Sequence, residues 1–265
     1  MLKKELRYFL LALEFFTRIP VPNFADFQES ELNNSVKYFP LIGIIVGLFG
    51  ATFFYFSSYI FPQSLAVLVS MASTIYLTGA FHEDGLADSA DGIGGGWQRE
   101  QILTIMQDSR LGTYGAMALF LMLLAKFQTL NSLHPVLILM LLVAGNAISR
   151  LSAVWLMATA SYVKLSGKAK PLATQISASH LLLANLFGFL PFLAMIGVFF
   201  SQYQTNLMIV NFVLLTLLPM LVCWLWWRAK LIKNIGGYTG DTLGAMQQLT
   251  ELTFYLGALA WSRII

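Results

Sequence analysis

The stretch from Tyr38 to Phe81, "YFPLIGIIVGLFGATFFYFSSYIFPQSLAVLVSMASTIYLTGAF", sets the architecture of this chain. Its two apolar runs, Tyr38 to Ile60 and Ser64 to Phe81, are separated only by the residues "FPQ". A helix that crosses the hydrocarbon core of a bilayer needs about 20 apolar residues, with a range of roughly 17–25. Both runs fit this range, so we predict a hairpin of two membrane-spanning helices.

The rest of the chain has the same apolar character. Of its 265 residues, 57% are hydrophobic and 11% are charged, with a mean hydropathy of +0.70, whereas soluble domains have about 45–50% apolar and about 25% charged residues. We therefore predict an all-α, polytopic transmembrane bundle that forms a single integral-membrane domain over residues 1–265. The charged and apolar N-terminal stretch "MLKKELRYFLLALEFFTRIPVP" is expected to form an amphipathic helix at the membrane surface. About seven spans are predicted, and only the last is interrupted by an acid, Glu251: Tyr38–Ile60, Ser64–Phe81, Gly112–Leu130, Pro135–Ala160, His180–Phe200, Leu207–Trp227 and Leu249–Ile265.

The basic residues predict the orientation, because Lys and Arg near the ends of spans are retained on the cytoplasmic side. Three of the connections contain neither residue, whereas thirteen of the sixteen basic residues lie at the N-terminus and in the alternate connections, including Lys164, Lys168 and Lys170. The N-terminus is therefore predicted to be cytoplasmic. The acidic stretch "FHEDGLADSADG" and the polar stretch "NIGGYTGDTLGA" then belong to the same side. Lys126, in the third span, is expected to snorkel to the interface.

The acidic stretch suggests a metal site. If it is helical, Asp84, Asp88 and Asp91 lie within about 60° of one another on one face. Carboxylates so close repel one another unless a cation relieves them, and Mg²⁺ commonly bridges a few carboxylates to a substrate phosphate. We therefore expect these three residues to bind Mg²⁺ for a metal-assisted phosphotransfer. Gly85 and Gly92 would let substrate and backbone approach closely.

Other polar residues allow two interpretations each. Asp108 and Arg110, in "MQDSRLGTYG", form either a helix cap with a local ion pair, or a second acidic ligand and a phosphate contact. Asp241, in "GGYTGDTLGA", is either a helix N-cap or a ligand for substrate or metal. Arg150, deep in the fourth span with Asn146 one turn away, is expected to meet a phosphate or an acid of another helix rather than lipid.

Several long blocks carry a family resemblance. "TGAFHEDGLADSADG", followed by "REQILTIMQDSRLGTYGAMAL", resembles the signature region of the adenosylcobinamide-GDP ribazoletransferases, also called cobalamin-5′-phosphate synthases. "FFTRIPVP", "YFPLIGIIVG" and "GGYTGDTLGAMQQLTE" are similar to other blocks of that family, in the same order. The resemblance covers Thr17 to Glu251 and is carried by these site positions: Glu83, Asp84, Gly85, Asp88, Asp91, Gly92, Asp108, Ser109, Arg110, Gly240 and Asp241. The family commonly has an apolar residue at position 83, so Glu83 is not expected to be an essential ligand.

The resemblance implies an enzyme of the bacterial inner membrane that joins adenosylcobinamide-GDP to α-ribazole, or its 5′-phosphate, with release of GMP and a requirement for Mg²⁺. The ribazole hydroxyl would attack the phosphorus on the cobinamide side. Asp108 or Asp241 would act as general base or second metal ligand, and Arg110 and Arg150 would stabilise the phosphate charge. Gly85, Gly92, Ser109 and Gly240 would contact substrate. The expected partners are these substrates and the lipid bilayer, without nucleic acid; a homo-oligomer, or an association with other cobalamin-assembly enzymes, stays open.

Two alternative functions remain at this point. A cation-coupled transporter would also need glycines and intramembrane acids, but it predicts inverted repeats and acids near the midplane of several spans, which the sequence does not show. A CDP-alcohol-type membrane phosphotransferase is suggested by "DGLAD", although Asp88 stands where that motif usually has an arginine. The zinc-protease H-E-x-x-H, the P-loop and the G-x-S-x-G motif are absent from the sequence.

Overall fold

The computed structural model describes residues 2–22, 29–163, 176–202 and 206–264, and the regular elements in those ranges are helices. This confirms the all-α bundle. The loop lysines Lys164, Lys168 and Lys170 lie outside the described residues. The α-helices, in chain order, are α1 (Leu2–Phe16), α2 (Glu29–Ser35), α3 (Phe39–Ser58), α4 (Gln63–Thr78), α5 (Phe81–Gly95), α6 (Arg99–Met106), α7 (Thr113–Asn131), α8 (Pro135–Thr159), α9 (Ala178–Gln202), α10 (Asn206–Ile235) and α11 (Gly240–Ser262).

The number of spans differs from the seven predicted. Within the described residues, five helical segments are long and apolar enough to cross a membrane, and a sixth span results only if α4 and α5 are counted together. The five are Glu31–Ser58, Thr113–Asn131, Pro135–Thr159, Ala178–Val198 and Asn206–Ile235. The protein is therefore a multi-pass helical membrane protein with fewer independent spans than its apolar runs suggest.

The second predicted span, Ser64–Phe81, is not one straight helix: α4 is 16 residues long, the chain bends by 86° before α5, and the two helices are long and apolar enough to span only when they are counted together. Gly79 and Ala80 make this bend with φ angles of 66° and 59°. This left-handed conformation suits glycine, and it is uncommon for alanine. The backbone N–H of Arg18 donates to the carbonyl of Leu77 at 2.8 Å, which ties the chain after α1 to the bend.

The seventh predicted span is also wrong in its bounds. Its helix, α11, begins at Gly240 rather than Leu249, and it is not among the helices apolar enough to span alone. α11 instead packs against α5, α7, α8 and α10 and lies at the centre of the bundle. Its polar residues are accommodated by neighbouring helices rather than by lipid.

Glycines let the helix backbones approach closely. A Cβ at Gly43 of α3 would lie 2.3 Å from the carbonyl oxygen of Asn146 in α8, and a Cβ at Gly47 would lie 2.5 Å from that of Leu142. Small residues at such spacing are the usual means of close packing between membrane helices. The first span, Glu31–Ser58, is thereby fixed against α8.

The N-terminal helix is clamped to the start of the first span by two ion pairs. Glu5 accepts from Lys37 at 2.6 Å, and Arg7 donates to Glu31 at 2.7 Å. Lys37 holds the pKa of the Glu5 carboxyl below its usual range. The predicted helix is confirmed, with its apolar side turned toward the bundle. Its position at a membrane surface stays a prediction.

Candidate functional site

The acidic stretch forms α5, as predicted, but its three aspartates have different surroundings. The side chain of Asp84 is exposed, that of Asp88 is half-buried, and that of Asp91 is buried. A shared helix face therefore does not give a shared environment. The packing of α5 against α6, α7 and α11 causes the difference.

Asp91 lies against the start of α7. Its two carboxylate oxygens accept hydrogen bonds from the backbone N–H groups of Gly112, at 2.8 Å, and Gly115, at 2.9 Å. The first N–H groups of a helix lack partners within the helix and favour a negative charge. A Cβ at either glycine would lie within 2.4 Å of the Asp91 carboxylate, so both positions need glycine. Asp91 thus anchors α7 to α5, a role that the predicted metal ligation does not include.

Asp241 lies beside the acidic face of α5. A Cβ at Gly85 would lie only 2.6 Å from the backbone oxygen of Asp241, so Gly85 allows α5 and α11 to cross in contact. The negative charges of Asp84 and Asp241 both act on Asp88. The structure therefore brings together Asp84, Asp88 and Asp241, which are far apart in sequence.

Asp241 is not the N-cap of α11. Thr239 is, because its hydroxyl accepts from the Thr242 N–H at 3.3 Å, and the Thr242 hydroxyl accepts in return from the Thr239 N–H at 2.8 Å. The N-cap interpretation of Asp241 is therefore wrong, and its carboxylate is not needed to cap the helix. Burial raises the pKa of Asp241, and the nearby charge of Asp84 raises it further.

Carboxylates that repel one another suit a hard cation. Within the part of the chain that the structure describes, no three acids, histidines or cysteines form a group that could hold a metal ion by themselves. Mg²⁺ does not need such a cage, because it usually keeps several waters and takes one or two carboxylates together with substrate phosphate. The oxygen donors of Asp84, Asp88 and Asp241 fit that chemistry.

The loop between α6 and α7 carries the predicted phosphate contacts. Arg110 and Asp108 form a bidentate ion pair, with Nη2 and Oδ2 2.5 Å apart, and the Arg110 side chain is 87% exposed. This pair holds the pKa of Asp108 below its usual range. The local ion pair is therefore present, whereas the residue that caps α7 is Gly112. Ser109 is exposed, so it and Arg110 remain accessible to substrate.

Two of the glycines predicted to contact substrate have packing neighbours. A Cβ at Gly92 would lie 2.5 Å from Cγ of Met106, so this glycine allows α6 to lie on α5. Gly240 begins α11 and lines a small cavity together with aromatic residues of α1, α3 and α5. The close approach at Gly92 is thus one of protein to protein.

Arg150 lies in a second, buried polar cluster. Only 2% of its surface is exposed, and its Nη1 donates to the side-chain and main-chain oxygens of Asn146 at 2.8 and 3.0 Å. The charges of Glu251 and Glu83 act on it from other helices. The position of Arg150 near these acids agrees with the expectation that it meets an acid of another helix. Arg150 is buried, whereas Arg110 is exposed.

Sequence reasoning misplaced Lys126, which does not snorkel. Its Nζ lies 3.3 Å from Oε2 of Glu251 and donates to Gln248 at 2.8 Å, and the residue is 7% exposed. Glu251 also accepts from Gln247 at 2.6 Å and from Tyr255 at 2.8 Å. The sequence offered one signal for this pairing, namely Glu251 in the last apolar run, because a charged residue within the membrane usually pairs with a residue of opposite charge.

The apolar spans of the described residues, a buried network of charges and a carboxylate-rich surface define a multi-pass helical membrane protein with a candidate polar site. The cobalamin-5-phosphate synthase family model matches residues 8–259. The chain belongs to that family.

Curated relatives extend along nearly the whole chain. An adenosylcobinamide-GDP ribazoletransferase of Shewanella amazonensis is 44% identical over 98% of both chains. Proteins with the same name from Ralstonia pickettii and Vibrio parahaemolyticus are 44% and 42% identical, over 94% and 98% of this chain and 94% of each relative. No solved structure matches.

Proposed function

We propose that this protein joins adenosylcobinamide-GDP to α-ribazole, or to α-ribazole 5′-phosphate, and releases GMP. The observation that carries the proposal is the 44% sequence identity to proteins named ribazoletransferases over nearly the full length of the chain. The adjacent carboxylates of Asp84, Asp88 and Asp241 supply a surface suited to a pyrophosphate bound with a cation. Neither the transporter nor the CDP-alcohol enzyme has comparable support.

The reaction exchanges the phosphoanhydride bond of the pyrophosphate for a new phosphate ester bond. The ribazole hydroxyl oxygen forms a bond to the phosphorus on the cobinamide side, the bond from that phosphorus to the oxygen of the GMP phosphate breaks, and GMP leaves. The hydroxyl proton must pass to a base. Asp241 suits this role because its raised pKa favours uptake of a proton, and Asp108 is the second candidate.

Mg²⁺ bound by Asp84 and Asp88, with Asp241 nearby, would neutralise charge on the phosphate and on the leaving group. Arg110 would bind a phosphate oxygen by exchanging its partner Asp108 for substrate, for which its exposed side chain is free to move. Asp91 would act indirectly, since it fixes the start of α7 and hence the loop that carries Arg110.

A reconstitution tests the proposal. The purified chain in lipid nanodiscs would receive adenosylcobinamide-GDP and α-ribazole 5′-phosphate, with Mg²⁺ or with EDTA, and both GMP and the corrinoid product would be quantified. We expect equimolar GMP and product only with Mg²⁺. Asp84→Asn should remove turnover, whereas Glu100→Gln, which alters an exposed acid on α6, should keep it.

The results separate the parts of the proposal. A folded protein that releases no GMP would require another substrate pair. Full activity in EDTA would refute the role of a divalent cation while leaving the transferase assignment intact.

The proposed location is the bacterial inner membrane with the N-terminus in the cytoplasm. The charge distribution supports it. In this topology α4 and α5 together cross the membrane once, as a broken span, so reporter fusions at the N-terminus and after Ser132, between α7 and α8, should give cytoplasmic and periplasmic signals respectively. The opposite pattern would reverse the orientation.

A further inference from the structure

A polar cavity of about 30 Å³ lies inside the bundle, behind the bend between α4 and α5. Asp84, Asp88 and Asp241 do not line it, so it is separate from the candidate reaction site. Its wall contains charged residues from four helices, which are Glu83, Lys126, Arg150 and Glu251.

Three residues that line this cavity each have a buried polar side-chain atom without a hydrogen-bond partner among the described residues. These atoms are Nε2 of His82, Oε2 of Glu83 and Nε of Arg150. His82 is 4% exposed and Arg150 is 2% exposed, so bulk solvent does not satisfy them. Buried polar groups without partners are costly, and they usually bind ordered water or a ligand.

The charges in the wall indicate what the cavity binds. Two basic residues, Lys126 and Arg150, balance two acidic ones, Glu83 and Glu251, which favours neither an anion nor a cation. The Nε of Arg150 can only donate a hydrogen bond, and an ionised Glu83 can only accept one. A neutral ligand that both donates and accepts is required, and water is the smallest such ligand.

The volume limits the number of molecules. A buried water needs about 10–15 Å³ of such space and two to four polar partners. We propose that this cavity binds about two ordered water molecules that accept from Arg150, donate to Glu83 and complete the hydrogen bonding of His82.

These waters close a ring of interactions around the first turn of α5. Glu83 accepts from Gln248 at 3.0 Å, Gln248 accepts from Lys126, and Lys126 pairs with Glu251. The water bridge joins Glu83 to Arg150 on α8 and thereby fixes the residue next to Asp84. Glu83 and Arg150 are therefore positioning residues, neither of which touches the reacting phosphates.

Radiolytic hydroxyl-radical labelling of the full chain in nanodiscs tests for the waters without any need for activity. Met71 lines the cavity and is 8% exposed, whereas Met122 is 6% exposed and does not line it. Radicals formed from trapped water should oxidise Met71 at least about fivefold faster than Met122, as measured by mass spectrometry. Equal rates would overturn the proposal, and this comparison needs no variant.

A matched pair of variants locates the water. Val46→Ile adds one methylene group to the cavity wall and should reduce labelling of Met71 at least about threefold. Val67→Ile adds the same group at a buried site outside the wall and should leave that labelling unchanged. Unchanged labelling in folded Val46→Ile would place the water elsewhere and refute this site.

Kinetics test the positioning role, which rests on the proposed function. Glu83→Gln and Arg150→Lys should lower kcat at least about tenfold and change KM for either substrate less than about twofold. A raised KM for adenosylcobinamide-GDP with unchanged kcat in Arg150→Lys would show substrate contact and overturn positioning by Arg150. The labelling result is independent of this outcome.

Discussion

The buried ion pair between Lys126 and Glu251 makes a quantitative prediction about stability. Both side chains are less than 10% exposed, and Glu251 accepts three further hydrogen bonds, from Gln247, Tyr255 and Asn146. Glu251→Gln removes the charge that compensates Lys126. Removal of one partner of a buried pair leaves an uncompensated charge and costs about 3–5 kcal/mol.

The double substitution Lys126→Met with Glu251→Met should cost less than the sum of the two single substitutions. It removes both charges together, and apolar replacement of a buried pair is often neutral or stabilising. The free energy of unfolding can be measured by titration with sodium dodecyl sulfate in mixed micelles. Arg110→Ala, which breaks the exposed pair with Asp108, is the control and should have no measurable effect.

The reasoning fails if Glu251→Gln unfolds within about 1 kcal/mol of the parent, a value well below the cost of an unpaired buried charge. Lys126 would then reach the interface, as its position in an apolar run first suggested. A loss in the double variant that equals the sum of the two single losses would likewise refute the pairing.

Three further predictions concern the candidate site. Asp91→Ala should lower the free energy of unfolding, measured by denaturant titration, by about 1–3 kcal/mol because two backbone N–H groups lose their acceptor. Asp84→Asn should keep its stability and lose turnover, measured by GMP release. Gly85→Ala should cost about 1–3 kcal/mol by forcing α5 away from α11, and Gly95→Ala on the same helix should be tolerated, because its Cβ would approach no atom nearer than 3.5 Å. Asp241→Asn should stabilise the protein at pH 8 in EDTA, as shown by comparison of its unfolding with that of the parent at pH 8 and at pH 3.

The sign of the pH effect follows from linkage. Burial raises the pKa of Asp241 in the folded state above its usual range, so the folded protein binds a proton more tightly than the unfolded chain. The stabilisation due to the protonated group is complete below the unfolded pKa and is lost as pH rises through the folded pKa. Asn cannot ionise and avoids this loss. A variant that is less stable than the parent at pH 8 would contradict the burial of Asp241.

Outcomes for the other variants are equally distinct. Unchanged stability in Asp91→Ala would free this residue for metal binding, as the sequence suggested. Equal effects of Gly85→Ala and Gly95→Ala would remove the evidence that α5 and α11 touch at the site.

Much of the architecture could be predicted from local sequence patterns. Apolar runs of bilayer length predict spans over Pro135–Ala160 and Leu207–Trp227 without knowledge of their neighbours, because the cost of burying polar groups in lipid acts on each segment separately; the structure has spans at Pro135–Thr159 and Asn206–Ile235. The 86° bend after α4 was not readable in this way. Apolar content looks the same whether a helix crosses the bilayer or turns within it.

The candidate site was only partly readable for the same reason. Helical periodicity places Asp84, Asp88 and Asp91 on one face, but it does not show which carboxylate faces backbone N–H groups. Asp91 contacts the start of α7 through hydrogen bonds to Gly112 and Gly115, which are 21 and 24 residues further along the chain. Asp241 joins the other two because Gly85 allows α11 to approach.

Composition and spacing alone indicate a helical membrane protein with an acidic helix, and the long ordered blocks of the sequence resemble one family. These properties depend on the bilayer and on the helical repeat, both of which act within one segment of chain. The contact of Asp91 with the start of α7, the pairing of Lys126 with Glu251 and the burial of Arg150 come from packing. They require residues distant in sequence to meet, because a charge removed from water is stabilised only by the partners that other helices bring to it.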